Sequence, residues 1–276
     1  MKLCTFRPRT GGPGDGWPGL VEGDEVRRLP GPTLIDHLAA GDPAQPSGPG
    51  YPLAEVRLLA PVPRPPSVRD FFAFEAHVAT TRGRRGAQVP AEWYQIPVFY
   101  FTNPAAVVGP DEEIAYPDGT AELDYELEVA AVIGAGGAIA GFTIMNDWSA
   151  RDLQRQETRV GLGPAKGKDF ATSIGPVLVT VDEFDGSGAT MVARVNGEER
   201  SRGDLAGLYH PWPALVAQAA RNTVLRPGDV LGSGTVGGGC ILEHGDNRWL
   251  RPGDTVELEV DGLGVLRNQI GPPRPH

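Results

Sequence analysis

From Leu123 to Gly134 the chain reads Leu-Asp-Tyr-Glu-Leu-Glu-Val-Ala-Ala-Val-Ile-Gly, an acidic and apolar alternation that passes into an unbroken apolar run. A period of two sends successive side chains to opposite faces, so the stretch is committed to a β-sheet, with Glu126 and Glu128 on the same face. Adjacent carboxylates repel unless that face meets water or a cation lies between them. Taken alone, the local pattern favours a half-buried antiparallel strand with one solvated face.

The remainder of the chain has the same character. Its 38 glycines and 27 prolines are scattered among short apolar runs, which reads as many turns between strands and not as disorder. Lys2 to Arg7, Leu20 to Leu29 and Val56 to Ala60 are expected as strands, and Thr33 to Ala40 as a short helix capped by Thr33 and ended by Gly41. Pro61 to Pro66 then forbids helix and discourages central pairing, so a small N-terminal unit over residues 1–62 is separated from a larger one over 63–276.

Within the larger unit, Asp70 to Thr81 has helix-compatible spacing, followed by the basic, glycine-flanked loop Arg82-Gly-Arg84-Arg85-Gly86. Strands are expected at Ile96 to Phe101, Ala105 to Val108, Ala138 to Met145, Gly175 to Val181, Val230 to Thr235, Cys240 to Glu243, Asp254 to Val260 and Gly264 to Asn268. A hairpin is expected around Asn196-Gly197. Helices are expected from about Trp148 to Thr158 and from Pro213 to Asn222. Strands outnumber helices without alternating with them, which indicates a β-rich α+β fold.

Twenty-five basic against 35 acidic residues give a net charge of −10, which opposes attraction to nucleic acid or to anionic membranes. Two cysteines are too few for a disulfide framework or a thiolate cluster. With no membrane-length apolar run and no signal-peptide core at the N-terminus, the expectation is a soluble cytoplasmic protein.

Asp70, Glu126, Glu128 and Asp147 stand at element ends or on the alternating face. An all-oxygen set suits a hard cation such as Mg²⁺, Mn²⁺ or Ca²⁺. Asp147 and Asp70 read equally well as caps for the helices that follow them. His77 lies seven residues after Asp70, about two helical turns, so both can address one cavity. Gly232-Ser-Gly234-Thr-Val-Gly237 matches a dinucleotide fingerprint in letters only, because a strand is expected after it where that motif needs a helix.

Asp70 with His77, the Asp-Tyr-Glu126-Leu-Glu128 run, Met145-Asn-Asp147-Trp-Ser-Ala-Arg151-Asp-Leu-Gln154, Gly167-Lys168-Asp-Phe-Ala-Thr172, Gly234-Thr235 and Ile241-Leu-Glu243 resemble, in the same order, the fumarylacetoacetate hydrolase family. The resemblance spans about Val68 to Ile270. It implies the family's mixed β-roll catalytic domain behind a small N-terminal domain, and a homodimer. It makes Asp70, Glu126, Glu128 and Asp147 ligands of Mg²⁺ (or Mn²⁺ or Ca²⁺), His77 the general base and Glu243 its helper. Arg151, Gln154 and Lys168 then line the reacting carbonyl, with Thr172 and Thr235 nearby.

The implied reaction is hydrolysis of a C–C bond in a β-diketo acid, an acylpyruvate or a fumarylacetoacetate-like compound. Water activated by His77 and Glu243 attacks, and the dication spreads the expelled charge as an enolate. An isomerase, decarboxylase or dehydratase using the same enolate on a 2-oxo or 2-hydroxy-dienoate acid is the rival. Phe72 stands two residues after the first aspartate, where the family's namesake enzyme has a tyrosine, and Arg159 replaces a second substrate-facing tyrosine. Arginine favours carboxylates, so these changes point away from fumarylacetoacetate itself. Arg82, Arg84 and Arg85 can capture a carboxylate as their loop closes.

Overall fold

The computed structural model describes residues 1–11, 14–41, 45–84 and 86–274. Among these the largest assembly is a mixed sheet of 12 strands. Its path runs Gly50–Pro52, Glu25–Arg28, Trp17–Glu22, Lys2–Pro8, Thr172–Thr180, Ile139–Asn146, Leu127–Ile133, Val230–Gly232, Val68–Phe71 and Phe99–Thr102. Val56–Leu58 joins beside Lys2–Pro8, and Val107–Val108 beside Thr172–Thr180. A second sheet orders Glu198–Asp204, Thr190–Val195, Thr255–Val260, Gly264–Pro273 and Glu113–Tyr116. The strands of residues 1–60 are stitched to the rest by the antiparallel pairs Lys2 with Val179 and Leu3 with Leu178. The β-rich α+β expectation agrees with this architecture.

Leu127–Ile133 lies near the middle of the large sheet and explains the apolar run. Leu127, Val129, Ala131 and Ile133 belong to one core, while Ala130 and Val132 belong to a second that also holds Leu3, Met145 and Leu178. A strand covered on both faces needs apolar residues at every position, which is why the alternation stops after Glu128. The solvated face expected for the two glutamates is therefore absent: Glu126 and Glu128 are both buried.

The strand is also interrupted. Leu123–Asp124 pairs with Ser149–Ala150 in a separate two-stranded ladder, and Leu127 opens the long ladder opposite Asn146. At the break the Glu126 N–H donates to the Asn146 side-chain oxygen at 3.0 Å, so a side chain satisfies what a neighbouring strand otherwise would.

Several other expectations are corrected. Asp70 is not helical: it pairs with Gly232 on one side and Tyr100 on the other, and the helix is Glu75–Gly83, with Phe74 at its N-cap. The seven-residue spacing to His77 thus spans a strand end and a turn, not two helical turns. Leu20 to Leu29 divides into a hairpin, Trp17–Glu22 and Glu25–Arg28, turning through Gly23 at φ 61°. Ile96 is the extended C-cap of a helix, Ala91–Gln95, so the strand expected over Ile96 to Phe101 is shortened at its start to Phe99–Thr102. In Ala105 to Val108 the side chain of Asn103 accepts from the Ala105 N–H and starts a 3₁₀ turn, which shortens the strand to Val107–Val108.

The helix after Asp147 begins at Arg151, with Ala150 at its N-cap, so neither Asp147 nor Asp70 caps a helix. Cys240 to Glu243 is a helical turn, Ile241–His244, and not a strand. A helical turn thus does follow Gly237, contrary to the strand expected there. The turn's first amides are nonetheless taken, since Ile241 and Leu242 N–H donate to the Asp124 carboxylate at 2.8 and 3.1 Å.

Candidate active site

Four buried carboxylates meet at the ends of adjacent strands. Asp70 comes from Val68–Phe71, Glu128 from Leu127–Ile133, Asp147 from the residue after Ile139–Asn146, and Glu126 from the break described above. Each offers an oxygen, and all four oxygens lie within 4.8 Å of one another. Between the strands of Asp70 and Glu128 runs Val230–Gly232, where glycine is required: a Cβ on Gly232 would stand 2.5 Å from Asp70 Oδ1 and 3.1 Å from Glu128 Oε2. The missing side chain makes the space into which both carboxylates project.

Two cations face this group. Lys168 bridges Glu126 and Asp147, and Arg151 contacts Glu126 at 2.7 Å and Asp124 at 2.8 Å. Asp124, Glu126, Glu128, Asp70 and Asp147 make five acids against two bases, so the ionised centre carries excess negative charge. The acids respond unequally. Burial would raise Glu126, but Arg151 and then Lys168 outweigh it and hold this carboxyl well below the usual range. Burial and then the charge of Asp147 push Asp70 well up, and burial and then Asp70 do the same to Glu128. Asp147 is raised too, because burial outweighs the help of Lys168. The Lys168 ammonium is held charged by Asp147 and Glu126 against burial.

The donor set therefore fits a hard dication on three counts. It is all oxygen, it is under-neutralised, and Asp70 Oδ1 and Asp147 Oδ1 are buried with no hydrogen-bond partner. Bringing a 2+ charge among them would favour the ionised form of Asp70, Glu128 and Asp147, as Arg151 and Lys168 already do for Glu126.

A cavity of about 510 Å³ opens beside the carboxylates, with Asp70, Glu126, Glu128, His77 and Lys168 in its wall. His77 is carried by the helix Glu75–Gly83, and its ring packs edge-on against Phe72 with centroids 5.2 Å apart. Behind it, Glu243 Oε2 lies 2.9 Å from His77 Nδ1, from the turn Ile241–His244. Both are buried. Thus sequence positions 70, 77, 126, 128, 147, 168 and 243 converge.

Other residues expected at the site fall in varied places. Gln154 lines the cavity and accepts from Arg151 at 3.2 Å, and the Thr235 hydroxyl donates to Glu128 at 3.4 Å. The Arg151 guanidinium is engaged by Asp124, Glu126 and Gln154. Thr172 is buried outside the cavity wall. Arg159 is exposed in the last turn of Arg151–Val160 and does not reach the wall. Arg84 donates to the Glu243 backbone carbonyl at 2.6 Å, so it ties its loop to the turn of Glu243, while Arg82 lines the cavity. Arg85 lies outside the described residues.

Sequence reasoning missed Tyr100 and Asp124. Tyr100 donates to Asp147 Oδ2 at 2.6 Å and lines the cavity, bringing a phenol from a neighbouring strand beside the position where Phe72 lacks one. No spacing rule pointed to it. Asp124 was legible as the first acid of the alternating run, two residues before Glu126.

The family description "Fumarylacetoacetate (FAA) hydrolase C-terminal" matches residues 67–271, which include every residue of the cluster. This chain belongs to the fumarylacetoacetate hydrolase family. A second description, "Rv2993c-like, N-terminal", matches residues 1–61. Among characterised relatives of this family member, oxaloacetate tautomerase YisK of Bacillus subtilis (strain 168) is 31% identical over 236 residues, 80% of this chain and 75% of its own. The human mitochondrial oxaloacetate tautomerase FAHD2A is 32% identical over 235 residues, 80% of this chain and 72% of its own. Among solved structures, 5-carboxymethyl-2-hydroxymuconate delta-isomerase from Mycobacterium smegmatis superposes with a TM-score of 0.77 at 30% identity, covering 99% of this chain and 100% of that one. The mixed β-roll expected from the sequence is the fold these proteins share.

Proposed function

We propose that this protein is a divalent-metal-dependent enzyme that moves a proton within a 2-oxo diacid, interconverting keto and enol forms of a compound such as oxaloacetate. The observation that carries the reading is that an imidazole backed by a carboxylate shares one cavity wall with the four-carboxylate cluster. Asp70, Glu126, Glu128 and Asp147 would hold the ion. When bound, a hard dication polarises the substrate carbonyl and disperses the negative charge of its enolate.

The chain's own residues supply the rest. His77 takes the proton from the carbon between the carbonyls, and Glu243, 2.9 Å behind Nδ1, stabilises the imidazolium so formed. The Lys168 ammonium, held charged, steadies the enolate oxygen by a hydrogen bond while water protonates that oxygen and His77 returns its proton to the hydroxide so formed. Phe71 and Phe72 make the apolar wall that keeps bulk water from the reacting carbon. Arg82, in the same wall, takes the distal carboxylate. The tautomerase names of the relatives that align over four-fifths of the chain support this choice.

A second reading, hydrolysis of an acylpyruvate, is favoured by the His77 and Glu243 pair, which can equally take a proton from water. The two separate on product analysis of Mg²⁺-loaded enzyme. Loss of enol absorbance with the carbon skeleton intact supports the first, and cleavage to two acids supports the second. Release of carbon dioxide or loss of water would point to a decarboxylase or dehydratase, and no turnover of oxaloacetate or acylpyruvates would sink both readings.

Three coarser expectations belong to the same proposal. The chain divides near residue 62, as the Pro61 to Pro66 connector suggests. It works as a homodimer, for which the exposed Ile96, Val98 and Phe101 on or beside the edge strand Phe99–Thr102 offer apolar surface. It resides in the cytoplasm, consistent with Cys4 and Cys240 being unpaired. No helix among the described residues is long and apolar enough to cross a membrane.

A further inference from the structure

Behind the base lies a second set of donors, different in kind from the first. His77, Cys240 and Glu243 each offer an atom, one nitrogen, one sulfur and one oxygen, all within 4.8 Å of one another and all buried. Cys240 is the N-cap of the turn Ile241–His244 and Glu243 lies three residues on, so both side chains project from one face of a single turn. His77 arrives from the helix Glu75–Gly83, and the bond from Arg84 to the Glu243 carbonyl holds the two elements together.

The protons available do not satisfy this group. Cys240 Sγ lies 3.6 Å from Glu243 Oε2, a weak thiol contact, and His77 Nδ1 lies 2.9 Å from the same oxygen without being aligned as a hydrogen bond. Glu243 Oε1, in a carboxylate that is 3% exposed, has no partner. One oxygen is crowded while the other is orphaned, the arrangement of lone pairs converging on a point and not of a proton shared along a line.

We propose that His77, Cys240 and Glu243 form a second metal site, for a thiophilic dication such as Zn²⁺, whose occupation stops the enzyme by capturing its base. Thiolate, imidazole and carboxylate are the three ligand types that Zn²⁺ prefers, and the hard ions suited to the all-oxygen cluster do not compete for sulfur. Binding forms a metal–sulfur bond and releases the Cys240 thiol proton to solvent. Thiolate and carboxylate then neutralise the ion, and a water from the cavity that His77 lines completes a four-coordinate shell. The inhibitory half rests on His77 as the base proposed above, whereas the binding half does not.

The test is a Cd²⁺ titration of the Mg²⁺-saturated protein, followed by the ultraviolet thiolate-to-cadmium charge-transfer band. One equivalent of band-forming site per chain is expected in the wild type and in Cys4→Ser, and none in Cys240→Ser or Cys240→Ala. In parallel, Zn²⁺ in excess Mg²⁺ should inhibit wild type at least tenfold more strongly than the Cys240 variants, each measured against its own uninhibited rate. Absence of the band in wild type, or its loss in Cys4→Ser, overturns the site. A band with no difference in Zn²⁺ inhibition between wild type and the Cys240 variants leaves the ion bound there but overturns its capture of the base. The wild-type and Cys4→Ser spectra decide the binding question even if neither Cys240 variant folds.

Discussion

Single substitutions should separate the group proposed to react from the groups proposed to hold the ion. His77→Ala removes the proposed base and leaves the four carboxylates in place, so activity should fall by about 10²- to 10⁴-fold while the Mg²⁺-dependent rise in melting temperature survives. Asp147→Ala should fail in the other order, losing the Mg²⁺-dependent shift itself. Equal shifts in the two variants would refute the division of labour. Arg151 is set apart from both, because its guanidinium is spent on Asp124, Glu126 and Gln154. Arg151→Leu leaves the buried Asp124 carboxylate without a cation and Glu126 with Lys168 alone, and should destabilise the fold by about 3–5 kcal/mol in urea denaturation. A loss well under 1 kcal/mol would show that Lys168 alone suffices. The four acids could be named from the sequence only through the family resemblance, since by themselves Glu126 and Glu128 read as a solvated face and Asp70 and Asp147 as helix caps; Tyr100 could not be named at all, since nothing in a Phe-Tyr-Phe-Thr strand says which ring will face Asp147.

At the scale of elements, the site depends on what is missing from the strand Val230–Gly232 as much as on the acids either side of it. Gly232→Ala would place a methyl group 2.5 Å from Asp70 Oδ1 and from Met145 Cε. It should weaken Mg²⁺ binding at least tenfold by calorimetry without removing a single ligand. Unchanged affinity would mean that the carboxylates do not need that gap. Apolar runs placed the strands Ile139–Asn146 and Thr172–Thr180 to within a few residues, because burial on both faces leaves that signature, whereas Gly264–Pro273, exposed on one face, runs five residues past the expected Asn268. Periodicity failed where a short segment answers to its neighbours. Asp70 looked helical from its spacing, but pairing on both sides made it a strand; Cys240 to Glu243 looked like a strand, but the Asp124 carboxylate caps it as a helical turn. That error hid the i, i+3 placement of Cys240 and Glu243.

For the whole molecule, the balance of charge at the centre governs response to pH and to metal. Asp70, Glu128 and Asp147 are raised, so in the metal-free protein they keep protons that the unfolded chain has already lost above the ordinary carboxylate range. The folded state then binds more protons than the unfolded one, so this contribution favours the fold at low pH and is lost as pH rises toward neutrality. Glu126, lowered, works in the opposite sense, contributing stability above the ordinary range that is lost only in strong acid. Mg²⁺ must displace the retained protons, so its apparent affinity should rise with pH between weakly acidic and neutral solution. Thermal shift at a series of Mg²⁺ concentrations measures this, and pH-independent affinity would contradict the protonated cluster.

The overall architecture was readable in outline because a turn-rich, alternating chain of this length has few alternatives to a large mixed sheet. What could not be read was that residues 1–60 would extend that same sheet through Lys2–Pro8, because the pairing of Leu3 with Leu178, 175 residues on, leaves no local mark. Whether four distant carboxylates grip one ion beside His77 can be seen by anomalous diffraction from crystals soaked in Mn²⁺. A single strong peak bonded to Asp70, Glu126, Glu128 and Asp147 is expected. A peak elsewhere, or none, with Lys168 still bridging Glu126 and Asp147, would contradict it.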